Sequence, residues 1–203
     1  MDAMSSSTDK NRLRPQIPKR TLDVLAALAG SMLLALPSFV VIGMIKATSP
    51  GPILHWSPRV GRHGRIFQMP KFRTMKVGTP QVATERLADP ASWLTPIGSL
   101  LRKLSLDEIP QLWSVMNGDM SLVGPRPALF NQHDLIAARK VRSIDALRPG
   151  ITGWAQINGR DDIPEWRKVE LDEEYLHRRS FWFDLKILWL TAWRVIRRDG
   201  VSH

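Results

Sequence analysis

Two adjacent carboxylates, Asp107 and Glu108, are the residues whose types best fit catalytic chemistry in this sequence. An aspartate can attack phosphorus when a metal ion and nearby cations polarise the electrophile. Mg²⁺ in such sites binds one or two carboxylates together with phosphate oxygens of the substrate. The pair therefore favours phosphoryl transfer, with one carboxylate as nucleophile and its neighbour as a Mg²⁺ ligand.

The same pair also has a structural interpretation. Ser105 and Glu108 have the spacing of a capping box, and acidic residues stabilise a first helical turn without any catalytic role. Pro110 fits such a box poorly, because proline lacks an N–H and disfavours helical geometry in the residue before it. Residue types alone leave both interpretations open.

Cationic residues suited to phosphate occur on both sides of the carboxylate pair. Arg126 lies in the segment Gly-Pro-Arg-Pro at 124–127, where two prolines restrict the backbone that carries the guanidinium. Arginine recognises phosphate through two parallel hydrogen bonds, whereas lysine acts as a point charge. Lys71 and Arg73 alternate with Phe72, so an extended backbone would place both cations on one face. The alternatives are a solvated loop arginine at 126 and, at 71–73, a solvated strand edge or attraction to lipid headgroups.

The composition narrows the partners and excludes several kinds of site. The chain has 203 residues, a net charge of +10, eight tryptophans and no cysteine. The charge favours an anionic partner, such as nucleic acid, an anionic leaflet or a phosphorylated substrate. The lack of cysteine excludes disulfides, thiolate nucleophiles and cysteine metal sites. The sequence also has no P-loop, no G-x-G-x-x-G after a strand and no H-E-x-x-H motif.

An uncharged apolar segment, residues 24–45, is long enough to cross a ~30 Å hydrocarbon core as a helix. Basic residues flank both ends, so the positive-inside rule favours two cytoplasmic ends. Pro37, followed by Ser38, is expected to kink the helix. We interpret residues 21–47 as a broken, re-entrant membrane helix, with a straight anchor as the open alternative. The predicted division is a disordered basic arm at 1–18, the re-entrant helix at 19–48 and a cytosolic catalytic domain at 49–203 lying on the membrane.

The remaining sequence predicts an α/β fold that is mostly helical. Short strands are predicted at 53–56 and 66–69, and a third strand or extended segment at 120–123. Helices are predicted from Thr95 and Pro96 onward, and at 130–144, 164–178 and 181–198. The last is amphipathic with a cationic end, which is typical of an interfacial helix, and a core helix is the open alternative. Its predicted apolar face consists of Phe181, Leu185, Leu188, Trp189, Ala192 and Ile196.

Taken together, six segments resemble the bacterial sugar transferases, the monotopic phosphoglycosyl transferases that begin lipid-linked glycan assembly. They occur in the family's order and cover nearly the whole chain, from about residue 19 to residue 202. The segments are K-R-x-x-D at 19–23, S-P-G-P at 49–52, K-F-R-T-M at 71–75, S-L-D-E-I-P-Q-L at 105–112, G-D-M-S-L-V-G-P-R-P at 118–127 and R-P-G-I-T-G-W-A-Q-I-N-G-R at 148–160.

The resemblance implies roles for individual residues. It places the nucleophile at Asp107 and a Mg²⁺-associated carboxylate at Glu108, with Asp107 as a second candidate ligand. The candidate substrate-binding and phosphate-binding residues are Arg126, Arg102, Lys71, Arg73, Arg160, Asp172 and Asp184. It also implies a re-entrant helix, although the family's best-described break has the order Ser-Pro and this chain has Pro37 before Ser38.

The resemblance further implies a reaction and a location. A UDP-sugar would donate a sugar phosphate to polyprenyl (undecaprenyl) phosphate through a phosphosugar on Asp107, with release of UMP. The implied place is the cytoplasmic face of the bacterial inner membrane, with membrane lipid and without nucleic acid as partners. The rivals are a membrane-tethered, non-catalytic protein that binds anionic lipid or nucleic acid, and a glycosyl transferase that releases UDP. Neither the sugar nor the oligomeric state, a homodimer included, follows from the sequence.

Overall fold

The computed structural model describes residues 17–82, 87, 89–159 and 163–197. Helices account for most of the regular structure, in agreement with the predicted α/β fold. The helices are α1 (Ile17–Leu33), α2 (Ala35–Thr48), α3 (Gly98–Lys103), α4 (Gln111–Asn117), α5 (His133–Val141), α6 (Glu165–Arg178) and α7 (Phe181–Arg197). The strands are β1 (Leu54–Val60), β2 (Ile66–Phe72), β3 (Ser121–Val123), β4 (Ala128–Leu129) and β5 (Gly150–Thr152).

The strands form two small sheets. In the first, β1 lies between β2 and β4, and both pairings are antiparallel. The hairpin of β1 and β2 is longer than predicted, because pairing continues to Val60 opposite Ile66. Pro58 is tolerated within β1 because β4 pairs only with the two residues that follow it. In the second sheet, β3 and β5 are parallel neighbours.

The first two helices form a bent pair. They meet at 59°, with the break at Leu34. Pro37 lies one turn beyond the break, where its missing N–H removes a helical hydrogen bond. The Ser38 hydroxyl donates to the Leu34 carbonyl at 2.7 Å, so the residue after the proline anchors the start of α2.

Among the described residues, no single helix has the length and apolar composition needed to cross a membrane, but α1 and α2 together meet that criterion. Met32, Leu33, Leu36 and Phe39 near the bend are each more than 70% exposed. The break expected near Pro37 is therefore confirmed as a bend, and membrane insertion of this pair stays a prediction. The arm predicted at 1–18 lies outside the described residues up to residue 16, and α1 begins at Ile17.

Three apolar clusters connect these elements. One joins α1, α4 and β2 and contains Ala27, Phe67, Met69, Val115 and Met120. A second joins α2, the end of β2 and α3 and contains Val41, Ile45, Phe72 and Leu101. The third and largest lies between α5, α6 and α7 and includes Ile144, Val169, Tyr175 and Ile187. The bent pair is thus packed against the hairpin from both of its helices.

The side chains predicted as the apolar face of α7 are exposed or half-buried in the structure, apart from Ile196. The buried side chains are Phe183, Asp184 and Ile187, and the exposed aromatic side chains are Phe181, Trp182, Trp189 and Trp193. Phe181 and Trp189 of the predicted face thus lie on the exposed side, and the interfacial interpretation stays a prediction. Because the helix is apolar around most of its circumference, hydrophobic periodicity alone could not orient it. The side chain of Ile196 lies outside the described part.

Candidate active site

A short turn presents the carboxylate pair. Asp107 and Glu108 lie in a 3₁₀ helix, Leu106–Glu108, between α3 and α4. Ser105 precedes it with a φ of 54°, and its side chain makes no capping hydrogen bond. The capping-box alternative is therefore wrong: the Glu108 side chain is directed to other partners, and the left-handed backbone at Ser105 turns the chain between the two helices.

Two cations converge on Glu108. Lys71, near the end of β2, places Nζ 3.2 Å from Glu108 Oε1 and 4.0 Å from Asp107 Oδ2. Arg126 Nη1 lies 3.5 Å from the same Glu108 oxygen. The structure thus brings together four of the predicted site residues from three separate segments of the sequence.

The groups around Asp107 shift the pKa of its carboxyl in opposite directions. Burial raises the pKa of its carboxyl above the ordinary value, and the neighbouring Glu108 adds to that rise. Lys71, and more weakly Arg102 and Arg126, pull the pKa of Asp107 back down. The side chain is only 7% exposed. An anionic Asp107 at neutral pH therefore depends on the surrounding cations.

Arg102 is a further cation near Asp107. It lies on α3, and its Nε donates to the Thr74 hydroxyl at 3.1 Å. Burial lowers the pKa of the Arg102 guanidinium, and the charge of Asp107 partly offsets that effect. A half-buried guanidinium that interacts with the nucleophile candidate is consistent with the predicted phosphate contact.

Arg73 is directed away from the position expected for it. Its guanidinium is buried and donates to the Ser49 carbonyl and hydroxyl and to the Pro50 carbonyl, at 2.6–2.9 Å. Backbone pairing continues past Phe72, since the Arg73 N–H donates to the Ile53 carbonyl at 2.9 Å. The contacts of the guanidinium hold it at Ser49 and Pro50, and the predicted contact of Arg73 with substrate stays a prediction. Arg73 instead stabilises the turn that follows α2.

Two acidic residues predicted as substrate contacts are buried ion-pair partners. Asp172, on α6, is 1% exposed and accepts from Arg139 Nη2 at 2.6 Å and Nε at 3.0 Å. Asp184, on α7, accepts from Lys19 Nζ at 2.6 Å and from the Tyr175 hydroxyl at 2.7 Å. Both carboxylates are thus engaged with neighbouring cations, and their predicted contact with substrate stays a prediction. Arg160 lies outside the described residues.

The segment that carries Arg126 is held by hydrogen bonds along its length. Asp23 of α1 accepts from the Ser121 hydroxyl and the Leu122 N–H, at 2.8 and 3.0 Å. Lys19 donates to the Val123 carbonyl at 3.0 Å. Arg139 and Arg59 donate to the carbonyls of residues 126 and 127, at 2.8 and 3.1 Å. The first helix and the sheet therefore both position the arginine.

Sequence reasoning assigned no role to Asp23, Arg59 or Arg139. For Asp23 a signal was present, since it ends the K-R-x-x-D segment at 19–23. Its partners lie about a hundred positions later, so the motif could be noticed without its contact being known. Arg59 and Arg139 had no marker in the sequence.

Three glycines allow two stretches of backbone to pass very close to each other just before Arg126. A Cβ on Gly124 would lie 2.4 Å from the Arg148 carbonyl oxygen, and one on Gly150 would lie 2.1 Å from the Gly124 nitrogen. A Cβ on Gly153 would lie 2.1 Å from the Gly124 carbonyl oxygen. Side chains are excluded at all three positions by backbone atoms, which cannot move aside as a flexible side chain can.

The carboxylate pair fits Mg²⁺ in part. No group of three potential metal-ligating side chains occurs within the described ranges. Mg²⁺ does not need such a group, because it commonly takes one or two carboxylates and completes its shell with water and substrate phosphate. The adjacent oxygens of Asp107 and Glu108 supply hard ligands of that kind at the position where the cations converge.

Comparisons with known proteins identify the family of this chain. The family model described as bacterial sugar transferase matches residues 14–198. The uncharacterised sugar transferase EpsL of Bacillus subtilis (strain 168) is 41% identical over 190 residues, covering 92% of this chain and 91% of EpsL.

Two further relatives are longer proteins. The undecaprenyl-phosphate galactose phosphotransferase of Salmonella typhimurium is 36% identical over 200 residues, covering 90% of this chain and 41% of that protein. The UDP-glucose:undecaprenyl-phosphate glucose-1-phosphate transferase of Escherichia coli (strain K12) is 38% identical over 186 residues, covering 87% of this chain and 39% of that protein. The chain therefore spans less than half the length of both, but nearly all of EpsL.

Proposed function

The chain belongs to the bacterial sugar transferase family, and from that premise we propose that it transfers a sugar 1-phosphate from a UDP-sugar to undecaprenyl phosphate. One observation carries the proposal. A buried Asp107 lies beside Glu108, with Lys71 and Arg126 within 4.0 Å of the pair. This arrangement provides a nucleophile together with cations for phosphoryl oxygens, and relatives with that donor and acceptor in their names support the substrates.

In the first step a carboxylate oxygen of Asp107 attacks the β-phosphorus of the UDP-sugar. The bond from that phosphorus to the oxygen bridging to the α-phosphate breaks, and UMP leaves with the bonding electrons. The sugar phosphate is then esterified to Asp107. Lys71 and Arg126 offset the negative charge that develops on the phosphoryl oxygens, which is the main contribution a protein makes to such a transition state.

In the second step an oxygen of undecaprenyl phosphate attacks the same phosphorus. The bond between phosphorus and the Asp107 carboxylate breaks, so free enzyme and undecaprenyl diphosphate sugar form. The attacking phosphate is already anionic, and no strong general base is required. Asp107 leaves as a carboxylate, and Lys71, Arg102 and Arg126, which lower its pKa, stabilise that leaving group.

Mg²⁺ belongs to this proposal as a cofactor. The oxygens of Glu108 and Asp107 would hold it, and when bound it would act as a Lewis acid toward phosphoryl oxygens. Lys71 and Arg126, which share a Glu108 oxygen, would then contact the donor's phosphates in place of that carboxylate.

The proposed location is the cytoplasmic face of the bacterial inner membrane. The bent pair α1 and α2 exposes apolar side chains at its bend, and basic residues flank both of its ends. On α7, Trp182, Trp189 and Trp193 are exposed along one side, where indole rings favour the membrane–water interface. A site held against these helices would meet both a soluble nucleotide and a lipid phosphate.

The decisive experiment is a screen of UDP-sugars with detergent-solubilised protein, undecaprenyl phosphate and Mg²⁺, scored by UMP. Labelled donor without acceptor should leave a labelled phosphosugar on Asp107. Release of UDP would support a glycosyl transferase, and no release with any donor would support a non-catalytic protein. UMP release with Asp107 unmodified would overturn the covalent step.

A further inference from the structure

We propose that Asp172 and Arg139 act as a positioning pair for Arg126, and that neither contacts substrate. The inference rests on the proposed function, since it assumes that Arg126 binds the donor's phosphates. Asp172 and Arg139 would thus affect catalysis only through Arg126.

The contacts form a continuous chain from α6 to the carboxylate pair. Asp172 Oδ2 accepts from Arg139 Nε and Nη2, at 3.0 and 2.6 Å. The remaining terminal nitrogen of Arg139, Nη1, donates to the Arg126 carbonyl at 2.8 Å. Arg126 in turn places its own Nη1 3.5 Å from Glu108 Oε1. Each contact joins residues from different segments of the chain.

The fork of Arg139 explains why an arginine is needed there. One edge of the planar guanidinium is occupied by Asp172, which fixes the plane and aims Nη1 at the carbonyl. A lysine ammonium is a point charge without a fixed plane and cannot satisfy a carboxylate and a carbonyl in the same rigid geometry.

The Arg126 carbonyl is the atom through which Arg139 can orient Arg126. Neighbouring carbonyls are also engaged: Gly150 N–H donates to the Pro125 carbonyl at 2.9 Å, and Arg59 donates to that of Pro127 at 3.1 Å. The flanking prolines fix φ on both sides of Arg126. The carbonyl bond then sets the orientation of the peptide plane after Arg126, and with it the direction in which its side chain leaves the backbone.

Burial makes this pair expensive to disturb. Asp172 is 1% exposed, and the Arg139 side chain is 11% exposed. Burial raises the pKa of Asp172, and Arg139 opposes that rise through its charge and hydrogen bonds. A partner left alone would be an uncompensated buried charge, so each residue depends on the other.

The test is a double-mutant cycle on kcat/KM for UMP release, using Arg139→Gln, Arg126→Ala and the double variant. Arg139→Gln should lower kcat/KM on the order of 10-fold to 100-fold in the wild-type background, because a small misplacement of a phosphate-binding group is costly. With Arg126→Ala present, the same substitution should cost less than about 3-fold. A purely structural role predicts the same loss in both backgrounds and would overturn the proposal.

Matched variants keep the result interpretable if Arg139→Gln folds poorly. Arg139→Lys keeps the charge but not the fork, and should show the same dependence on Arg126. Lys140→Gln removes an exposed cation from the next position of α5 and should leave kcat/KM unchanged. Asp172→Asn should reproduce the effect of Arg139→Gln, and combining the two should add little.

A binding measurement separates this inference from the proposed function. UDP affinity of the full chain, measured by calorimetry, needs no turnover. If wild type binds UDP and Arg139→Gln weakens binding only when Arg126 is present, the positioning role stands even if no sugar is turned over. If UMP is released normally by Arg139→Gln, the positioning role fails and the proposed function survives. If UDP does not bind to wild type at all, both fail.

Discussion

Two sets of acidic residues in this chain differ in how closely their partners approach them. Asp23, Asp172 and Asp184 accept hydrogen bonds of 2.6–3.0 Å from the groups that face them. Asp107 and Glu108 instead share Lys71 and Arg126 at 3.2–4.0 Å. Short hydrogen bonds stabilise a scaffold, whereas longer ion-pair contacts leave cations that a phosphate can recruit. The length of these contacts, and not the number of carboxylates, separates the candidate site from the scaffold.

The largest expected effect is that of Asp107→Asn. UMP release should fall by about 10³-fold or more, because the covalent step has no other nucleophile. The same variant should be more stable than wild type at neutral pH. The pKa of Asp107 is raised in the fold, so wild type loses stability as pH rises from the ordinary aspartate pKa to the raised one, and the neutral amide avoids that loss.

Thermal unfolding at several pH values checks the stability part of that prediction. The advantage of Asp107→Asn should shrink as pH falls from the raised pKa toward the ordinary pKa of an aspartate, and vanish below it, where Asp107 is neutral in both folded and unfolded wild type. Asp134→Asn, at an exposed position in the first turn of α5, is the control: it should leave UMP release unchanged and lower stability by less than about 1 kcal/mol. An active Asp107→Asn protein would group Asp107 with the structural carboxylates Asp23, Asp172 and Asp184, and so reverse the comparison.

Arg126→Lys should have the next largest effect. The charge remains but the two-pronged contact with phosphate is lost, so kcat/KM should fall by about 10²-fold to 10³-fold. Steady-state UMP release measures it. Arg142→Lys, at an exposed ion pair with Glu173, should be close to neutral. Equal activity in both variants would mean that Arg126 is a solvated loop arginine.

Lys71→Met sharpens the comparison through pH. Lys71 is the strongest of the groups that lower the pKa of Asp107, so its loss should raise that pKa. The nucleophile is active as the carboxylate, and the acid limb of the kcat/KM profile should therefore move to higher pH. A limb that stays in place while the rate falls would show that Lys71 serves the substrate and not the ionisation of Asp107.

Asp184→Asn should have the smallest effect on catalysis and a clear effect on stability. Lys19 would lose its charged partner, and the free energy of unfolding should decrease by about 1–3 kcal/mol. Where the protein folds, kcat/KM should stay within about 10-fold of wild type. Glu173→Gln, in an exposed pair, should cost less than about 1 kcal/mol. A 10³-fold loss of activity without loss of stability would return Asp184 to the catalytic set.

The sequence allowed part of the site to be predicted. Asp107, Glu108, Lys71 and Arg126 are grouped as expected, because residue chemistry and motif order both pointed to them. The ion-pair partners of Asp172 and Asp184 could not be predicted from the sequence. Asp172 pairs with Arg139, 33 positions away, and Asp184 pairs with Lys19, 165 positions away. The partners of the Arg73 guanidinium, Pro50 and Ser49, lie 23 and 24 positions earlier and could not be read from the alternation at 71–73.

The fold, like the site, could be predicted where local signals decide the structure and not where tertiary contacts do. Local signals gave the bend near Pro37 and the existence of most helices, since proline chemistry and periodicity act over a few residues. The packed side of α7 depended on the tertiary neighbours of Phe183 and Ile187, which local pattern does not contain. The extent of the β1–β2 hairpin likewise depended on pairing that continues past Pro58.

The close crossing of Gly124, Gly150 and Gly153 has a consequence for anyone diversifying this enzyme. In a saturation library scored for growth or fluorescence, these positions should tolerate as few replacements as the nucleophile itself, although none of them contributes a reactive atom. Alanine, the most conservative exchange available, already adds the carbon that does not fit. Intolerance at these three sites would report on steric room, and an engineer seeking altered donor preference should leave them fixed and vary their neighbours.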